Sequence, residues 1–151
     1  LVQGEAQTVY EEVIQPNLHR ISASPFENIC ISYLRDLRKT GKTPFRFLKI
    51  GRFWGKVTHR DEGTKPYTTS EEIDIYATDS TQTKYILGEC KFTGEPFDMG
   101  QLKKLLQAKL SLQGEVWYYL FSLSGFTDGV KEYATAHPNT VLITADDILS
   151  Q

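Results

Sequence analysis

The chain has few cysteines, few histidines and no long apolar run. Its 151 residues include two cysteines and three histidines, and neither type recurs at a spacing that would hold zinc or form a disulfide framework. Cys30 and Cys90 are therefore expected to be buried, reduced thiols. No apolar stretch approaches the roughly 18 residues that a membrane span needs, so we expect a cytoplasmic domain without membrane contact.

The N-terminus lacks an initiator methionine and the charged and apolar regions of a secretory signal peptide. We therefore interpret the chain as part of a longer protein. Residues 1–23 are expected to be a lead-in from a preceding domain, with a short helix over 7–14 that ends before Pro16. Residues 24–151 then form one domain, which is long enough to bury a proper core.

The net charge of −2 hides a basic stretch, because nine lysines and arginines and a single acid lie between positions 35 and 60. Such a stretch can bind phosphate groups, although a solvated helix end and loop would have the same composition. The candidate nucleic-acid-binding residues are Lys42, Arg46, Lys49, Arg52, Lys56 and Arg60.

Hydrophobic periodicity and capping signals predict an α/β domain. Ser24-Pro25-Phe26-Glu27 is a helix start with a capping box, and apolar residues follow it at helical spacing. Three strands and a β-α-β unit are expected to follow, which predicts a mixed sheet covered by helices. The predicted strands lie within 45–54, 71–78, 84–92, 116–123 and 141–144, the later helices at 98–112 and 127–137, and a last helical turn at 146–149.

Acidic residues interrupt two of the predicted strands. Because side chains alternate between the two faces of a strand, Ile73 and Ile75 should share one face. Glu72, Asp74 and Tyr76 should then share the other.

The next strand ends in Glu89-Cys90-Lys91, where Glu89 and Lys91 point the same way. Its preceding residues are apolar enough for a central strand, in which charges are costly unless they are paired or bound to an ion. If the two strands are neighbours, Asp74 and Glu89 meet with Lys91 beside them.

Two carboxylates in this position suit a hard divalent ion such as Mg²⁺ or Mn²⁺. The ion can polarise a phosphate and lower the pKa of a bound water, and a lysine can stabilise the developing negative charge. Phosphodiester hydrolysis needs these groups. The alternative is that Glu89 and Lys91 form a buried ion pair without catalysis.

The order Asp74, then Glu89-Cys90-Lys91 on the next strand, resembles the PD-(D/E)XK nuclease superfamily. The resemblance implies the restriction-endonuclease-like fold, a three-layer α/β/α arrangement with a central mixed β-sheet. It also implies that Glu27, Asp74 and Glu89 are metal ligands for Mg²⁺ or Mn²⁺. Asp74, Glu89, Lys91 and Gln101 would form the catalytic set, with Gln101 at the start of the following helix.

A narrower resemblance covers about 24–142. The segments 51–55, 88–92 and 121–126 are similar to those in the C-terminal domain of archaeal and bacterial DEXX-box (AAA-type) ATPases, although that group has Trp-Trp-Gly where this chain has Phe53-Trp54-Gly55. It implies an ATPase domain in cis before this chain, DNA as a partner, and compatibility with an oligomer. Three functions stay open: a nuclease, a catalytically silent DNA- or protein-binding module of the ATPase, and an oligomerisation domain.

Overall fold

The computed structural model describes residues 24–60, 62–108 and 112–150. The helix expected over 7–14 lies outside these residues. Their order of helices and strands is the one that the sequence predicted. The elements are α1 (Pro25–Lys39), β1 (Lys49–His59), β2 (Tyr67–Thr78), β3 (Lys84–Lys91), α2 (Met99–Leu106), β4 (Glu115–Ser122), α3 (Asp128–Ala136), β5 (Thr140–Thr144) and α4 (Ala145–Leu149).

The five strands form one sheet in the order β1-β2-β3-β4-β5. The first three strands are antiparallel neighbours, whereas β3, β4 and β5 are parallel. The domain is therefore α/β with a mixed sheet, as predicted, and the apolar strand β3 lies at its centre. Within the described ranges, no helix combines the length and apolarity that a membrane crossing requires.

Two hydrophobic cores lie on opposite faces of the sheet, because successive residues of a strand enter different cores. In β3, Ile86 packs with the buried face of α1 and Leu87 packs with α2 and α3. Leu34 of α1 and Leu102 of α2 are both fully buried, and each such side chain stabilises the fold by about 1.5–3 kcal/mol. The helices thus form a layer on each face of the sheet.

Strand β2 contains a β-bulge, which breaks the expected alternation. Gly51 of β1 pairs with Tyr76, but Phe53 pairs with Ile73, so β2 has one extra residue between these pairs. As a result Ile75 packs in the core under α1, whereas Ile73 and Tyr76 pack in the core under α2. The prediction that Ile73 and Ile75 share a face was wrong, and so was the placing of Tyr76 on the other face from Ile73.

Several predicted boundaries were also wrong. The β1–β2 hairpin runs on to the pair His59 and Tyr67, beyond the predicted strands 45–54 and 71–78. Strand β1 begins at Lys49 rather than near position 45, and helix α2 ends at Leu106 rather than at 112. Interstrand pairing and packing set these ends, and both are tertiary effects that local propensity does not contain.

Candidate acidic site where strands β2 and β3 diverge

Glu27 enters the site from the first turn of α1. Its backbone N–H donates to Ser24 Oγ at 3.2 Å, and its Oε1 accepts from the Ser24 N–H at 3.2 Å, so the predicted capping box is present. The residue is only 6% exposed although it carries a carboxylate. Such burial requires a cationic or hydrogen-bonding partner.

Asp74 lies at a fork between two strands. The paired residues of β2 and β3 end with Ile75 and Gly88, and Asp74 and Glu89 are the next residues of the two strands beyond that pair. There the backbone N–H of Cys90 donates to Asp74 Oδ2 at 3.0 Å. The carboxylate thus takes the place of a backbone acceptor and is held between the two strands.

Burial and neighbouring carboxylates disfavour the charged forms of both Asp74 and Glu89. Burial, followed by the negative charge of Asp74, raises the pKa of Glu89 to about 8. Burial also raises the pKa of Asp74, although the Cys90 N–H and the Arg52 guanidinium favour its ionised form. Further positive charge at this position would stabilise both carboxylates.

Arg52 of β1 supplies positive charge on one side of this pair. Its Nη1 donates to both Oε1 and Oε2 of Glu27 at 2.6 Å and lies 3.8 Å from Asp74 Oδ1. Its Nη2 forms an ion pair with Glu72. Burial lowers the pKa of Arg52, but Glu27, Glu72 and Asp74 raise it by more. One guanidinium therefore bridges three carboxylates from α1 and β2.

Lys91 is oriented by α2. Its Nζ donates to Gln101 Oε1 at 3.2 Å, and the same oxygen accepts from the Asp98 N–H at 3.1 Å. The Gln101 N–H in turn donates to Asp98 Oδ1 at 3.0 Å. Gln101 therefore caps α2 and also accepts a hydrogen bond from Lys91. These contacts connect the start of α2 to the end of β3.

The two cysteines beside the site are free thiols. Cys30 is fully buried, but Cys90 is only partly buried, which is less than the sequence led us to expect. Contact with Cys30 and burial raise the pKa of the Cys90 thiol. Because the thiolate is the nucleophilic form of cysteine, Cys90 is not a candidate nucleophile.

The structure brings the predicted acidic and lysine residues together at the end of β3, beside the middle of β2. Of the predicted basic residues, Arg52 lies inside the acidic cluster. The other five lie in the turn after α1, before β1 or along β1 and its hairpin end: Lys42, Arg46, Lys49, Lys56 and Arg60.

Two further residues belong to the site. Glu72, for which the sequence allowed either an extra metal ligand or only a neighbour of Asp74 on the same strand face, pairs with Arg52. Lys104, which was not predicted, lowers the pKa of Glu89 by its charge. Lys104 could have been found, since it lies three residues after Gln101 on the same face of a helix.

The acidic side chains of the site are oxygen donors of the kind that divalent ions prefer. Within the described ranges, no three Asp, Glu, His or Cys side chains are arranged to hold a metal as they stand. The oxygen donors of Glu27, Asp74 and Glu89 nevertheless suit a hard cation, and the partly buried guanidinium of Arg52 already lies against two of these residues. The donor chemistry therefore fits a divalent ion, and the present geometry is organised around Arg52.

Comparisons with known proteins identify relatives whose activity is not described. An uncharacterized protein of Methanocaldococcus jannaschii is 33% identical over 81 residues, which are 54% of this chain and 16% of that protein. The match thus spans only a small part of that relative's length. No solved structure matches the chain. A model of the DUF234 family, described as archaeal and bacterial proteins of unknown function, matches residues 1–105. Because this match covers more than half of the sequence, the chain belongs to the DUF234 family.

Proposed function

We propose that this domain is a metal-dependent nuclease of the PD-(D/E)XK superfamily, with a restriction-endonuclease-like fold, that hydrolyses DNA phosphodiester bonds. The observation that carries the proposal is the fork between β2 and β3. There Asp74 accepts a hydrogen bond from the Cys90 N–H, Glu89 is the first residue of β3 beyond the last β2–β3 pair, and Lys91 ends that strand.

The architecture around the fork supports the same proposal. A helix with a buried acid precedes three antiparallel strands, and a crossover helix then leads into parallel strands. Helices cover both faces of the sheet. In this arrangement Glu89 and Lys91 lie at the end of β3, next to Asp74, where β2 and β3 are no longer paired.

Each site residue has a role in the proposed reaction. Glu27, Asp74 and Glu89 would hold Mg²⁺ or Mn²⁺ through carboxylate oxygens. The ion, when bound, supplies the charge that polarises a phosphate and makes a bound water more acidic. Lys91, oriented by Gln101, neutralises the negative charge that develops on the phosphate oxygens.

The basic residues outside the site support DNA as the substrate. Four of the five are exposed, and Lys49 is half-buried at the start of β1. Contacts between such residues and phosphates are independent of sequence and weaken as salt rises. We assign this role to Lys42, Arg46, Lys49, Lys56 and Arg60, and not to Arg52, which is already bound by carboxylates.

We also propose that the domain acts in cis with an AAA-type ATPase domain. The match to the archaeal relative covers only 16% of that protein, which leaves room there for a further domain. In this setting the ATPase would move or remodel the DNA that the site cuts.

A second candidate function is a catalytically silent module that binds DNA or protein for the ATPase. The observation that favours it is Arg52, which pairs with Glu27 and Glu72 and lies 3.8 Å from Asp74. In this alternative the acidic cluster serves only to fix α1 against the sheet.

Cleavage of supercoiled, linear and branched DNA in the presence of Mn²⁺ separates the two functions. We expect the wild type to cleave, and Lys91→Ala to lose roughly 10²–10³-fold in rate because charge stabilisation is lost. Lys84→Ala, at the other end of β3, is the matched control and should cleave normally. Equal traces from the wild type and Lys91→Ala would overturn the nuclease proposal. Salt-dependent DNA binding without cleavage would support the silent module.

A further inference from the structure

We propose that Arg52 occupies the cation position of the acidic site and that a divalent metal ion displaces it. The inference rests on the proposed function, because it concerns the same carboxylates. It adds a competition between the Arg52 side chain and the metal ion for the same carboxylates. The affinity for the metal ion then depends on how strongly Arg52 binds them.

The first step is that Arg52 uses the oxygens that a metal ion would need. Both carboxylate oxygens of Glu27 lie 2.6 Å from Arg52 Nη1, and Asp74 Oδ1 lies 3.8 Å from the same nitrogen. An ion with its ligands at roughly 2.0–2.6 Å requires these lone pairs for itself. The guanidinium and the ion therefore compete for the oxygens of Glu27 and Asp74.

The second step is that Arg52 leaves by moving, and not by losing its proton. A guanidinium stays charged at any ordinary pH, so a divalent ion placed beside it would be repelled. Binding of the ion must therefore be coupled to movement of the Arg52 side chain away from Glu27 and Asp74.

The third step is that Arg52 can move to a more exposed position beside Glu72. Strand β1 is at the edge of the described sheet, and the Glu72 side chain is 50% exposed, compared with 13% for Arg52. The ion pair with Glu72 can persist while Glu27 and Asp74 are released. Glu72 then acts as an outer anchor for the displaced guanidinium.

The fourth step concerns the Nε atom of Arg52. This nitrogen is buried and has no hydrogen-bond partner among the described residues. A buried donor without an acceptor is unfavourable, so the inner position of Arg52 satisfies its Nη atoms but not its Nε. A more exposed position would hydrate this group, which reduces the free energy needed to move the side chain.

Calorimetric titration with Mn²⁺ tests the competition. We expect Arg52→Gln to bind Mn²⁺ more tightly than the wild type, on the order of tenfold, as a typical coupling between two ligands of one site predicts. Arg52→Lys keeps the charge but has one nitrogen in place of the two that contact Glu27 and Glu72. Its Mn²⁺ affinity should lie between those of the wild type and Arg52→Gln. Lys65→Gln removes a positive charge from the exposed connection between β1 and β2, and its affinity should equal that of the wild type.

The outcomes separate this inference from the proposed function. Binding of Mn²⁺ by the wild type but not by Asp74→Asn would support the metal site. If Arg52→Gln then bound Mn²⁺ equally or more weakly than the wild type, only the competition would be overturned. Binding by Arg52→Gln but not by the wild type would support the competition and contradict the nuclease proposal for the native chain. If neither binds, both are overturned.

A measurement on the wild type keeps the inference testable if Arg52→Gln does not fold. The Nε–Hε group of Arg52 can be followed by ¹⁵N NMR during titration with Mg²⁺, with Arg52→Lys used to assign the signal. We expect the signal to shift and its solvent exchange to accelerate as the ion binds. An unchanged signal at Mg²⁺ saturation would overturn the inference.

Discussion

The backbone N–H of Cys90 donates to Asp74 Oδ2 at 3.0 Å across the fork between β2 and β3. The carboxylate therefore has a structural role besides any role in binding metal. Two substitutions separate these roles, because Asn keeps an oxygen that can accept the hydrogen bond whereas Ala does not.

We expect Asp74→Ala to lower the free energy of unfolding by about 1–3 kcal/mol more than Asp74→Asn, since it leaves the Cys90 N–H without an acceptor. Both variants should lose Mn²⁺ binding. Urea unfolding in chelator measures the first effect and calorimetry measures the second. Equal stabilities of the two variants would show that the hydrogen bond contributes nothing.

The raised pKa of Glu89 predicts how the stability of the metal-free protein depends on pH. The pKa is about 8 in the folded chain, against an ordinary value of 4.5, so between these values the folded state holds the proton more tightly than the unfolded state. The free energy of unfolding should therefore fall as the pH rises from about 4.5 to 8. Glu89→Gln should remove this part of the fall and be more stable than the wild type above pH 8.

Urea unfolding in chelator at pH 5 and pH 8.5 checks the prediction for Glu89. Glu115→Gln changes an exposed carboxylate at the start of β4 and should keep the pH dependence of the wild type. Parallel pH profiles for the wild type and Glu89→Gln would contradict the prediction.

Gly88 lies at the last paired position before the fork. A Cβ atom there would lie 2.9 Å from Ile75 Cβ and 3.1 Å from the carbonyl oxygen of Tyr119, so Gly88→Ala must push neighbouring strands apart. We expect a loss of about 1–3 kcal/mol in the free energy of unfolding and weaker Mn²⁺ binding. Gly94→Ala is the control, because a Cβ there meets nothing within 4 Å. Equal thermal stability of the two variants would contradict the prediction.

Gln101 links the cap of α2 to Lys91 through one oxygen. Gln101→Ala should lower the free energy of unfolding by about 1 kcal/mol, because the Asp98 N–H loses its acceptor. It should also slow DNA cleavage, though less than Lys91→Ala, since the lysine remains but is no longer oriented. Gln101→Glu keeps the acceptor oxygen and should restore stability. A cleavage rate unaffected by Gln101→Ala would argue against an orienting role.

Much of the fold could be predicted because its signals are local. The capping box at Ser24 and Glu27 fixed the start of α1, and the apolar run before Glu89 placed β3 at the centre of the sheet. The approach of Asp74 to Glu89 followed from strands that are neighbours both in sequence and in the sheet. These features depend on residues within one element or one hairpin.

The features that were missed depend on residues far apart in the sequence. The bulge in β2 depends on pairing with β1, so no pattern within β2 alone predicts that Ile73 and Ile75 enter different cores. Arg52 lies in a basic stretch of the sequence, which predicted that it binds phosphate. Only the fold shows that it contacts Glu27. Its actual role could not be inferred before β1 and α1 were placed together.

The chain order of the site has a consequence for how the domain folds. Asp74 and Glu89 belong to adjacent antiparallel strands, and bringing them together closes a loop of only about 15 residues, whereas bringing Glu27 to Asp74 closes one about three times longer. Contacts of short sequence separation form faster. We therefore expect the two repelling carboxylates to meet before α1 docks, so that acidic pH speeds the early phase of refolding and neutral pH slows it.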